Sequence, residues 1–141
     1  MPSRLLNISE ASLIALHAMR HIADAGEPVS CARIAEATRA SRSHLSKVLR
    51  KLVVEGRLSV CRGPRGGFYL TPEQGRQTFM DVFEIFEGPC RASACAMSKG
   101  PCGRGDCIFG GLLSEINGRF ERYFKSTRIS KPKNKARNRQ I

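Results

Sequence analysis

Four thiols fall within eighteen residues of this 141-residue chain: Cys90, Cys95, Cys102 and Cys107, in the stretch EGPCRASACAMSKGPCGRGDC at 87–107. Such a set can hold a metal, form disulfides or respond to an oxidant. Thiolates are the usual ligands of iron–sulfur clusters, which need donors that wrap one small object. Glycines at 100, 103 and 105 let a backbone fold that tightly, and Arg91, Lys99 and Arg104 offset the charge of thiolates and cluster. The C-x4-C-x6-C-x4-C spacing departs from the paired C-x2-C of a structural zinc ribbon, although zinc remains chemically open to these ligands. Two further cysteines, Cys31 and Cys61, read as ordinary small apolar residues.

The rest of the chain has to decide among these uses. Its length suits one compact domain, and 26% charged with 41% hydrophobic residues is ordinary for a soluble protein. The opening MPSRLLNISEASL lacks the apolar run of a signal peptide, and no stretch approaches membrane-spanning length. The expectation is a cytoplasmic protein with no membrane partner, where six cysteines favour metal or redox chemistry over a disulfide framework. The net charge is +12. Nine Lys/Arg lie between Arg33 and Arg65 against Glu36 and Glu55, and the tail from Arg128 adds six with no acidic residue. Two separated basic regions point to a polyanion, nucleic acid first. A solvated basic surface with a floppy tail is the plainer alternative.

Hydrophobic periodicity places the elements. Residues 9–25 start with a serine cap, and Leu13, Ile14, Leu16, Ala18, Met19 and Ile22 make a helix apolar on more than one face. Ser30 caps a second helix, CARIAEATR, with Ile34 and Ala35 inward. A third starts at Ser41, with Leu45, Val48, Leu49 and Leu52 in the i, i+3, i+4, i+7 pattern. Its opposite face carries Arg42, Ser43, Ser46, Lys47 and Arg50, with His44 near its start: residue types suited to phosphates and base edges. Then LSVCRGPRGGFYLT reads as two short strands around a Pro/Gly turn bearing Arg62 and Arg65. Three short helices and a basic-tipped hairpin describe a winged helix-turn-helix, with the third helix in the major groove and the wing on backbone or minor groove.

Residues 72–87 read as one further helix, with Phe79, Val82, Phe83 and Phe86 on one face. Residues 107–127 read as a long helix whose Ile108, Leu112, Ile116, Phe120 and Phe124 form a stripe. A partner's helix in a homodimer would cover that stripe; packing back on the chain's own first helix is the competing arrangement. The expected fold class is mainly α. Its divisions are a winged helix-turn-helix domain over 1–88, a cysteine loop over 89–107, a dimerisation helix over 107–128 and a basic disordered tail over 129–141.

The run IAEATRASRSHLSKVLRKLVVEGRLSVCRGPRGGFYLT, a helix ending VFEIFEG, a cysteine loop and a long helix together resemble the Rrf-two family of bacterial transcriptional regulators. The resemblance covers about Leu5 to Ser130 and is of the IscR/NsrR type, with SRSHLSKVL most similar to the NsrR branch. It implies a homodimer on double-stranded operator DNA, with the loop holding an iron–sulfur cluster, 2Fe–2S or 4Fe–4S. Cluster-binding relatives use three loop cysteines. Cys102 and Cys107 match the second and third, and the first is Cys95 by spacing or Cys90 by nearness to the preceding helix, with Cys95 favoured. Where some relatives carry a histidine three residues after the last cysteine, this chain has Gly110. Others use a carboxylate from the partner subunit's first helix, and Glu10 occupies the matching place, with Ile14 where some carry a further histidine. The ligand set is therefore all four cysteines, or three with Glu10. Glu10 also reads simply as a first-turn carboxylate favoured by the helix dipole.

The reading that results is a DNA-binding regulator, repressor or activator, that senses redox state, nitric oxide or iron–sulfur status. Its alternatives are a cluster-free regulator with a zinc or thiol–disulfide switch, and a non-sensing RNA-binding or architectural protein. No nucleophile–base pair or phosphate loop is present, and His17, His21 and His44 lie on helices without evident partners, which argues against an enzyme.

Overall fold

Serines start the first three helices. In the computed structural model, which describes residues 8–89 and 106–131, the hydroxyls of Ser9, Ser30 and Ser41 accept from the backbone N–H groups of Ser12, Arg33 and His44. Each satisfies a donor that a helix start leaves unpaired. The helices are α1 (Glu10–Ala25), α2 (Cys31–Thr38) and α3 (Arg42–Val54). Gly26 ends α1 in the left-handed region at φ 65°, where glycine carries no Cβ penalty. Arg39 ends α2 at φ 57°, a non-glycine residue in that region, and so forms the turn between α2 and α3.

The rest of the chain is β1 (Ser59–Cys61), β2 (Gly67–Tyr69), α4 (Pro72–Gly75), α5 (Phe79–Glu87) and α6 (Leu112–Ser126). The core gathers Ile14, Leu16, Met19 and Ile22 of α1, Ile34 of α2, and Leu45, Val48, Leu49 and Leu52 of α3. Met80, Val82 and Phe83 of α5 close it. Leu13 departs from the expected buried set and stands 44% exposed.

The hairpin pairs antiparallel, Ser59 with Tyr69, Val60 with Phe68 and Cys61 with Gly67. Phe68 also exchanges two backbone hydrogen bonds of 2.8 Å with Val29, so the wing is stitched to the segment between α1 and α2. That stitch needs glycine at 67, because a Cβ there would meet the carbonyl carbon and oxygen of Val29 at 2.6 Å. Gly67→Ala is expected to cost about 1–3 kcal/mol by overpacking, read as a lower urea midpoint, and to loosen the wing.

Three expectations change. The single helix expected over 72–87 is two, α4 and α5, separated at residues 76–78. Thr78 restarts the helix through a capping box with Asp81. The backbone between the two helices turns outward to pair with the C-terminal segment: Ile129 N–H donates to the Gln77 carbonyl and Ser130 N–H to that of Gly75, both at 2.9 Å. The Phe79 N–H closes the same seam on the Thr127 carbonyl at 2.8 Å. The boundary drawn at 129 therefore falls inside the folded body, since Ile129 is fully buried. Residues 132–141 lie outside the described residues.

The long helix also starts later than expected. Gly110 at φ 59° and an N-terminal Gly111 with no side-chain cap delay α6 to Leu112. Residues 107–111 form tight turns, with Gly110 N–H on the Cys107 carbonyl at 2.9 Å and Leu112 N–H on that of Phe109 at 3.2 Å. Cys107 thus precedes α6 by a turn instead of opening it. Within the chain α6 packs on α5: Phe120 and Phe124 meet Phe79 and Phe83 edge-to-face, with centroids 5.4–5.7 Å apart. The start of the stripe is uncovered, Ile108 being 75% and Leu112 49% exposed.

Candidate functional site

Successive helical residues step 100° apart, so 42, 43, 46, 47 and 50 share one side of α3 while 45, 48, 49 and 52 share the other. The core takes the second set, and Arg42, Ser43, Ser46, Lys47 and Arg50 are left exposed. His44 is half-buried at the edge of that side. No carboxylate occurs anywhere along α3. An α-helix with side chains is about as wide as the major groove of B-DNA, so this side has the dimensions to enter it. Arg62 and Arg65 stand exposed at the tip of the hairpin, in a turn closed by Gly66 N–H on the Gly63 carbonyl at 2.9 Å. Among the described residues none of these arginines or Lys47 makes an ion pair, so their charge faces outward uncompensated. One chain thus presents two cationic elements, on helix and wing.

Of the ligand candidates, Cys90, Cys95 and Cys102 lie outside the described residues. Cys107 is an exposed free thiol ahead of α6, and Glu10 is exposed in the first turn of α1. Among the described residues no three His, Cys, Asp or Glu side chains converge on a metal-sized site. Cys31 and Cys61 are half-buried free thiols, and the Cys61 Sγ lies 3.7 Å from the Gly67 carbonyl, a weak contact in keeping with a packing role.

Sequence reasoning missed Glu87, the last residue of α5. Its Oε1 accepts from the Ser9 N–H at 2.8 Å and from the Ser12 hydroxyl at 2.7 Å, which ties the end of α5 to the start of α1. The signal was Ser12, a fully buried polar residue in an otherwise apolar helix face. This clamp joins the neighbour of Glu10 to a residue three positions before Cys90, so within one chain α1 starts beside the root of the cysteine loop. Burial pushes the Glu87 carboxyl up, but the hydrogen bonds from Ser9 and Ser12 outweigh it and hold the group below its ordinary 4.5. A depressed folded-state value stabilises the protein above the unfolded value, and that contribution disappears as pH falls through the folded one. Glu87→Gln is therefore expected to be less stable at neutral pH and to show a flatter urea-midpoint profile below pH 4.5 than the parent.

Among the described residues no helix is long and apolar enough to cross a membrane. A family model described as Rrf2, iron-dependent transcriptional regulator, matches residues 8–131. The chain is 29% identical over 104 residues to an HTH-type transcriptional regulator of Aquifex aeolicus, covering 72% of each. It is 28% identical over 99 residues to the HTH-type transcriptional regulator IscR of Xenorhabdus nematophila, covering 70% of this chain and 60% of that one. Among solved structures it is similar to CymR, the global cysteine regulator of B. subtilis, with a TM-score of 0.69 and 25% identity over 88% of this chain and 93% of that one.

Proposed function

Because the chain belongs to the Rrf2 family of transcriptional regulators, which are not enzymes, we propose that it is a homodimer that reads a palindromic operator and senses redox state, nitric oxide or iron–sulfur status through a cluster in its cysteine loop. The observation that carries the DNA-reading half is the carboxylate-free, unpaired cationic side of α3 beside the arginine-tipped wing. Two such units related by a twofold axis would match a palindrome. The exposure of Leu112 at the start of α6 and of Ile108 in the turn before it supports a partner's apolar surface there.

The donor chemistry fits a cluster: four thiols in eighteen residues, of which Cys107 is exposed and free of disulfide. Cys102 and Cys107 would hold it with Cys95, completed by Cys90 or by Glu10 of the partner subunit. Such a cluster supplies a centre that oxidants and nitric oxide dismantle. The chain's own residues would turn that loss into a change of shape. The loop is rooted on one side at the Glu87–Ser9–Ser12 clamp and on the other at the turn before α6. Ligand bonds bracing the loop would bias where α6 sits, and so how far apart the two α3 helices stand. A ligand shifts such an equilibrium only by its differential affinity for the two states.

Anaerobically purified protein should be brown, with visible absorption that air or nitric oxide bleaches. Colourless protein carrying one tightly bound zinc per chain would contradict the cluster. The four closely spaced thiols favour one second reading, a thiol–disulfide switch in the same loop. That reading predicts colourless protein whose operator affinity changes with thiol oxidation. Equal affinity for one palindromic duplex and random duplex would point to a non-sensing nucleic-acid binder.

A further inference from the structure

Arg20, Arg76, Arg128 and Lys131 line one open cleft of about 620 Å³, between α1, α4 and the C-terminal end of α6. No carboxylate lines it, and among the described residues none of the four makes an ion pair. Cations gathered in one concavity repel each other, and the low-dielectric walls focus their field on whatever enters. Ser126 and Ser130 share the lining, the Ser126 hydroxyl donating to the Arg122 carbonyl at 2.7 Å. Arg20 is fixed in place: its Nη2 donates to the Arg128 carbonyl at 2.8 Å, and its guanidinium sits 5.3 Å from the centre of the Phe79 ring. Its Nε–H is buried without an acceptor among the described residues. The Nε of Arg76 is likewise held, by the Pro72 carbonyl at 3.3 Å. No residue of α3 or of the hairpin lines this cleft.

We infer that the cleft binds a small oxyanion of the phosphate class, inorganic phosphate or a phosphomonoester, at a site separate from the DNA-reading face. Planar guanidinium groups present paired N–H donors that match tetrahedral oxyanions, and the Ser130 hydroxyl can donate to a remaining oxygen. The cleft floor is preformed, since the seam between 75–79 and 127–130 fixes the backbone that carries Arg128 and Ser130. A bound oxyanion would hold α1, α4 and the end of α6 together, and so act on the helix proposed to set the dimer.

The test follows the thermal midpoint of the full chain as inorganic phosphate rises at constant ionic strength, made up with sodium chloride. A saturable upward shift is expected in the parent, because a ligand that binds only the folded state stabilises it by mass action. Arg128→Gln/Lys131→Gln, which changes two exposed side chains, is expected to weaken the phosphate response at least about tenfold while its salt-dependent duplex affinity keeps the parent's slope. A shift that does not saturate, or that is equal in the double variant, overturns the inference. A loss of the phosphate response accompanied by a salt slope lower by about two units would show that the side chains serve DNA phosphates, which also overturns it. Arg76→Gln, which leaves the C-terminal seam intact, guards against a folding defect and should reproduce the loss.

Discussion

Operator affinity is expected to fall about fivefold to 150-fold when Arg42 or Lys47 is replaced by alanine, the 1–3 kcal/mol range of a lost base or phosphate contact. Both side chains are exposed on the polar side of α3 and contact nothing in the core, so circular dichroism and the urea midpoint should stay at parental values. The salt dependence separates their roles. A side chain on phosphate lowers the slope by about one unit and weakens all duplexes alike. A side chain on a base edge relaxes discrimination at one operator position and leaves the slope nearly unchanged. Arg42, next to the Ser41 cap, lies where a recognition helix meets base edges, so it is expected to show the second pattern and Lys47 the first. Because each protomer of a dimer carries both residues, the double variant should fall to the affinity of random duplex.

Cys107→Ala is expected to abolish the visible absorption of anaerobic protein and to reduce bound iron to background. Cys31→Ala and Cys61→Ala should keep both, since those thiols sit half-buried on α2 and β1. The exposure of Cys107 makes the experiment clean, because removing its thiol leaves no cavity and no unpaired buried group. The same measurement on Cys90→Ala and Glu10→Ala decides the fourth ligand: the true ligand bleaches or shifts the spectrum, and the other variant leaves it as in the parent. The Glu87 clamp bears on this comparison, for it sets the neighbour of Glu10 beside the root of its own chain's loop.

Much of the fold was legible because its signals are local. Ser9, Ser30 and Ser41 announce their helices through caps that involve residues three positions away, and the apolar spacing of α3 fixes which side faces the core and which faces outward. The turn residues around Pro64 and the two glycines after Arg65 mark the wing in the same way. What stayed hidden depends on partners far along the chain. The break at 76–78 exists because residues 127–130 pair there, some fifty positions on, and a lone Ile129 in a basic stretch gave composition nothing to detect. The late start of α6 was hidden differently: Ile108 and Leu112 keep helical spacing, but Gly110 and Gly111 between them let the backbone turn. For the thiols, residue type and spacing carried the chemistry, while the choice between Cys90 and Glu10 depends on the dimer, which no local pattern encodes.

The central claim is that the loop's cluster state controls how well α3 and the wing hold an operator. Its most direct test is one anaerobic sample followed by two readouts, visible absorbance and affinity for a labelled palindromic duplex, through stepwise addition of nitric oxide. Absorbance and affinity should change together in the parent, at the same nitric oxide stoichiometry, and neither should respond in Cys107→Ala. Complete bleaching with unchanged operator affinity would contradict the claim.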